Sequence, residues 1–387
     1  MLEVLVLQER RSGETRVAAT PETVKRMVKE GLRVTVEQGA GLSSFIRDSQ
    51  YADAGAAIVA VPKEALARAD LVLKVAPPDP GEVASMKPGA IAITFVAPHK
   101  NVPTVQALAD RRITTLAMEL VPRITRAQKM DALSSQASVA GYKATLLAAA
   151  QLPRYFPLLM TAAGTVQPAR VVILGAGVAG LQALATAHRL GAVVEVSDVR
   201  PAVKEQVCSL GGKFIDLPMQ ESAEGAGGYA KEVSAEFLRK QQEIVRARIV
   251  ASDVVITTAL VPGKPAPKLV PRDIVLAMKP GSVIVDLAAE QGGNCELTVP
   301  GETVVVEGVT IIGHTNLPAT VPADASATYA RNVLEVVLLV TKKGEPALDF
   351  DDEIVRSMLL THAGEVRHAP TADLLVTPER RQSGVSS

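Results

Sequence analysis

Gly175, Gly177 and Gly180 stand at GxGxxG spacing, and Asp198 follows 18 residues after the last of them. Glycines so placed suit one task, the seating of an anion on backbone. The first permits a sharp turn, the second lets main chain approach a pyrophosphate, and the third lets a helix lie close on a strand. A helix beginning at Val178 and Ala179 would aim its unpaired N–H groups at the phosphates, so no lysine is required. A carboxylate about 20 residues further on accepts hydrogen bonds from an adenosine ribose and repels a 2′-phosphate. The pattern points to a dinucleotide, with NAD(H) favoured over NADP(H). Arg200, next to Val199, argues the other way, since an arginine here can hold a 2′-phosphate; Asp198 outweighs it by ending the strand.

The elements that must position these groups are legible around them. Val171–Leu174 is an apolar run too short for a buried helix, Val178, Leu181, Leu184 and Leu190 recur at helical intervals, and Ala192–Val196 is a second strand. The layer continues through 212–217, 249–258, 282–286 and 309–313. Strand 249–258 delivers Thr258, Ala259 and Leu260 to the edge that faces the cofactor. Before the glycine turn, EVLVL, LRVTVEQGAG, DLVLKVAPP, AIAITFVA and ITTLAME alternate with helical segments such as 21–31, where Thr20 caps and Pro21 leads. Residues 131–151 read as a connecting helix and 318–340 as a helix returning to the first layer, with a polar, frayed tail after His368. The charged stretch 221–241 reads as a surface loop or a mobile flap carrying Tyr229. The expected fold is α/β: two Rossmann-like parallel-sheet domains with a cleft between them, the second (134–323) inserted into the first (1–133 plus 324–387).

Composition removes other classes. Lys plus Arg and Asp plus Glu are 41 each, so no overall field draws nucleic acid or an anionic membrane. The apolar region 144–164 is broken by Pro153, Arg154 and Pro157, which argues against a membrane span, and the N-terminal apolar stretch is too short for a signal peptide. Cys208 and Cys295 have no metal-ligand spacing and fit a reducing compartment without a disulfide.

The string RAQKMDALSSQASVAGYKA, Arg126–Ala144, closely resembles the peripheral NAD(H)-binding component of proton-translocating NAD(P) transhydrogenase. RVAATPETVKRM, VEQGAG, AMELVPRITRAQ, LGAGVAGLQA, TTALVPGKPAP, VDLAAEQGGNCE and HTNLPATVP extend the resemblance over essentially the whole chain. It implies that Arg123, Gln128, Asp131 and Ser134 hold the nicotinamide, and that Tyr229 belongs to a mobile loop. It implies direct hydride transfer from NADH to NADP+, the NADP(H) being held on a partner subunit and the transfer coupled there to proton translocation. It implies too a homodimer on the cytoplasmic face of the inner membrane, held by membrane-embedded partners.

Alanine dehydrogenase, the cousin family, supplies the alternative of a soluble amino-acid dehydrogenase, and two of its substrate residues match Arg16 and Lys74. Its histidine position is Ala97 here, His99 lies two residues away in a loop, and the acid before QGG is Glu290. Reductive amination needs an acid or base; hydride passing between two nicotinamides does not. On that reading Arg16 and Lys74 are structural, and positioning replaces acid–base chemistry.

Overall fold

The protein is described by a computed structural model over residues 1–60, 62–217, 235–260 and 265–375. Its chain forms two compact units, Met1–Gln136 with Pro318–Ser387, and Ala137–Leu317.

The first unit is built on an eight-stranded sheet. Its spatial order is Glu365–Val366, Leu359–His362, Thr114–Ala117, Ile91–Thr94, Leu71–Leu73, Glu3–Val6, Arg33–Glu37 and Ala57–Val59. The last six run parallel. Strands covered on both faces need continuous apolar runs, and Val4, Leu5, Val6, Leu71, Val72 and Leu73 are all at most 1% exposed. Helix Pro21–Lys29 starts after Thr20, whose amide donates to Thr23 Oγ1 at 2.9 Å, and buries Val24 and Met27. Helix Pro322–Val340 lays Tyr329, Val333, Val336, Val337 and Val340 into the same core.

Two features here depart from the sequence reading. The edge strands Leu359–His362 and Glu365–Val366 are antiparallel, so the sheet is mixed. The tail after His368 is not frayed at its start: Ala369–Leu375 is helical, because His368 Nδ1 and Thr371 Oγ1 close the first turn at 2.7 Å and Thr371 is buried.

The second unit holds a seven-stranded sheet in the order Lys213–Phe214, Val193–Ser197, Arg170–Leu174, Val254–Thr257, Val283–Asp286, Val309–Ile312, Thr303–Val306. All pairs are parallel except the hairpin of the last two. Order reverses beside Arg170–Leu174, whose neighbours on either side are Val193–Ser197 and Val254–Thr257. An open parallel sheet forms its crevice at the carboxyl ends of strands at that point. The run 249–258 is a strand only from Val254. Ile249–Ala251 end helix Ala235–Ala251, whose Ile244, Val245 and Ile249 recur at helical spacing against the core until Ser252 and Asp253 interrupt it. A second hairpin, Leu159–Thr161 with Gly164–Val166, carries the exposed Met160.

Among the described residues no helix is long and apolar enough to cross a membrane, and no group of His, Cys, Asp and Glu could hold a metal ion. Cys208 is exposed and Cys295 buried.

Candidate functional site

The switch point of the second unit is where its predicted residues meet. Strand Arg170–Leu174 runs into Gly175, at φ +107°, and Gly177 stands at the head of helix Val178–Arg189. A Cβ on Gly180 would sit 1.9 Å from the Gly175 carbonyl oxygen, so only glycine lets this helix approach the turn. Gly177 is the reverse case: among the described residues a Cβ there would meet nothing within 4 Å, and none of their side chains caps the helix end. That open space over uncapped N–H groups fits a phosphate. Val178 is exposed and Ala179 partly so.

The neighbouring strand supports the turn from below. Thr258 follows Val254–Thr257, and its hydroxyl donates to the carbonyls of Leu174 at 3.2 Å and Gly175 at 3.1 Å. Ala259 is clamped on both sides by Asn294, which accepts from its amide at 3.0 Å and donates to its carbonyl at 2.9 Å. Leu260 is 48% exposed. At the next strand end, Asp286 accepts from Thr257, Ala288, Cys295 and Thr298, fixing the loop that holds Asn294. Sequence reading passed over Asn294 and Asp286; their signal was a strand-ending acid before a GGN turn.

Asp198 closes the second-strand side. Its carboxylate accepts from the Ala176 amide at 2.7 Å and from the backbone and guanidinium of Arg200. Partial burial pushes the carboxyl up, yet those donors outweigh it and hold it below the usual range. Val199 is 92% exposed. Tyr229 lies outside the described residues.

In the first unit, the short 3₁₀ helix Thr125–Met130 leads into Asp131 and helix Ala132–Gln151. Ala127 and Met130 are buried and anchor the turn. Arg126 forks onto Asp352 at 2.6 and 2.8 Å, holding that carboxyl down at about 2, and Asn332 donates to the Lys129 carbonyl at 2.7 Å. Asp131 accepts from the Ser134 amide at 2.9 Å and from its hydroxyl, the geometry of an N-terminal cap. Asp131 and Ser134 are thus brought together. Arg123 and Gln128 are exposed, and their side chains make no hydrogen bond or ion pair with another described residue. An ion pair between Arg123 and Asp131, the structural explanation of both, is not formed.

Arg16 and Lys74 are buried in separate clusters of that unit. Arg16 donates to Glu14 and to Gln136 Oε1 at 2.8 Å, while Lys74 Nζ donates to Glu82 at 3.0 Å and stands 3.6 Å from Glu9. Lys74 and Glu9 border a cavity of about 330 Å³ shared with Arg10, Glu82, Asn101 and Thr104. Ala97 has a left-handed φ of +48°, and both its amide and that of Val96 donate to Glu119 Oε1; His99 is exposed. Glu119 Oε2 is buried without a partner among the described residues, and burial raises that carboxyl.

Glu9 was not singled out by its sequence context. Burial raises its carboxyl from 4.5 to about 7, although Lys74 and the amides of Val75 and Ala76 pull the other way. Since the folded chain keeps a proton that the unfolded chain has released, its contribution to stability is full below pH 4.5 and lost by about pH 7. Glu9→Gln is expected to flatten the fall in Tm across that window. An unchanged pH profile of Tm would contradict it.

Fold and turn together define a protein of the nucleotide-binding dehydrogenase class. Residues 5–140 match the alanine dehydrogenase/PNT N-terminal domain and residues 144–369 the alanine dehydrogenase/PNT C-terminal domain. The chain belongs to the alanine dehydrogenase/PNT family, with its NAD(P) transhydrogenase alpha subunits. It is 51% identical over 376 residues to an NAD(P) transhydrogenase alpha-subunit polypeptide of Rhodospirillum rubrum, covering 95% of this chain and 98% of that one. A crystal structure of transhydrogenase from Sinorhizobium meliloti superposes with a TM-score of 0.86 at 46% identity, over 94% of this chain and 99% of that one. Alanine dehydrogenase of Mycobacterium tuberculosis is more distant, at 31% over 384 residues, 97% of this chain and 98% of its own.

Proposed function

We propose that this chain is the NAD(H)-binding component of a proton-translocating transhydrogenase, passing hydride from NADH to NADP+ held on a partner subunit. The observation that carries the reading is the 51% identity to a transhydrogenase alpha subunit over 95% of the chain. Gly175, Gly177, Val178, Ala179 and Gly180 seat the pyrophosphate, Asp198 takes the adenosine ribose, and Thr258, Ala259 and Leu260 flank them. Arg123, Gln128, Asp131 and Ser134 orient the carboxamide end of the nicotinamide.

The transfer breaks a C–H bond at one nicotinamide and makes one at the other, both electrons moving with the hydride. NADH is oxidised, NADP+ reduced, and no side chain exchanges a proton. The protein's contribution is orientation and exclusion of water, and Ala97 in the place of a histidine is compatible with that. The partners are membrane-embedded subunits, one with an NADP(H)-binding domain; the chain works as a homodimer on the cytoplasmic side of the membrane.

Mixing the purified chain with the NADP(H)-binding domain of such an enzyme is expected to give NADH-dependent reduction of NADP+. Failure at high protein concentration would count against the reading, and oxidation of NADH by pyruvate and ammonia with this chain alone would replace it with an amino-acid dehydrogenase.

A further inference from the structure

Asp198 is fully engaged by donors of its own chain. Its Oδ1 accepts from the Arg200 amide at 2.8 Å and from Arg200 Nε at 2.9 Å; its Oδ2 accepts from the Ala176 amide at 2.7 Å and from Arg200 Nη2 at 2.9 Å. A carboxylate offers about four acceptor sites, and four donors fill them. Two of these donors are backbone amides, one fixed by the glycine turn and one by the local bend in which an Asp accepts from its own chain two residues on. Only the guanidinium can leave without moving main chain. The Arg200 side chain is 58% exposed and that of Asp198 6%, so the guanidinium lies on the solvent side of the carboxylate.

We propose that Arg200 is an internal competitor for the ribose site: its guanidinium and the two adenosine ribose hydroxyls claim the same pair of Asp198 oxygens, and NAD(H) seats only as that fork opens. This rests on the reading of Asp198 as the ribose acceptor. Arg200 then sets how tightly NAD(H) is held by opposing it. The opposition is the strength of one exposed ion pair, worth roughly twofold to fivefold in affinity, and it weakens as salt screens the pair.

Titration of the full chain with NADH, followed by the nucleotide's fluorescence, tests it. Arg200→Ala is expected to lower the Kd roughly twofold to fivefold at low salt, with the gap from the unsubstituted protein narrowing at high salt. Arg200→Lys, whose ammonium cannot span both oxygens, should fall between the two. A Kd that is unchanged or raised in Arg200→Ala overturns the inference. Asp198→Ala separates the two levels. If it weakens NADH binding while Arg200→Ala fails to tighten it, only the competitor role is lost; if it binds NADH as well as the unsubstituted chain, the ribose assignment falls and the inference with it.

Discussion

Arg123→Ala is expected to cut NADH-dependent reduction of NADP+ by about 10²-fold, the cost of an ångström-scale misplacement of reacting groups, while the Kd for NADH and the Tm stay nearly fixed. The asymmetry follows from its surroundings. Arg123 is exposed and makes no bond with another described residue, so its removal takes nothing from the fold. Single-turnover kinetics with an NADP(H)-binding domain, alongside NADH titration and thermal melting, separate the effects. Turnover that survives the substitution, or a Kd that rises by the same factor as turnover falls, would remove Arg123 from the orienting set. Asp131→Ala is a less discriminating variant, because Asp131 also caps helix Ala132–Gln151, and losing a cap costs about 1 kcal/mol of stability.

The second large effect is at Gly180. Its added Cβ would stand 1.9 Å from the Gly175 carbonyl oxygen and 3.3 Å from Thr258 Oγ1. The first obstacle is backbone, which cannot rotate aside. Gly180→Ala is expected to destabilise the second unit by about 1–3 kcal/mol, lower its Tm by roughly 2–4 °C per kcal/mol, and reduce NADH affinity more than tenfold, about 1.4 kcal/mol. Gly177→Ala is the matched control: its Cβ meets no atom of the described residues within 4 Å, so melting should hardly change while NADH binding weakens. Equal melting and equal binding losses for the two variants would mean that the turn acts only as structure.

The glycine turn was legible because three levels of the sequence agree there. Val171–Leu174 is apolar enough to be strand, Gly175 must take a positive φ, and the spacing of Leu181 and Leu184 makes a helix. The connecting helix at 131–151 was equally plain, since the stretch is rich in Ala, Ser and Leu. What could not be read depended on distant partners. Ile249 and Val250 are β-branched and look like strand beside Val254–Thr257; only packing across the second core shows that they finish a helix. The strands Leu359–His362 and Glu365–Val366 are short, and their place at the edge is fixed by Thr361 bonding to Thr115 and Ile113 across 246 and 248 residues of sequence. Likewise, Lys74 is one residue in a hydrophobic run, and nothing local announces Glu9 and Glu82 as its partners.

Half of the residues proposed to hold the nicotinamide are therefore tied to one another and half are not. Asp131 and Ser134 brace each other, whereas Arg123 and Gln128 are tied to no other described side chain. A ligand that recruits the free pair must immobilise two long side chains, at about 0.5–1.5 kcal/mol each, and that entropy returns when it leaves. Under the proposed function, such a site would trade occupancy time for turnover, as exchange of spent nucleotide for fresh on every cycle requires.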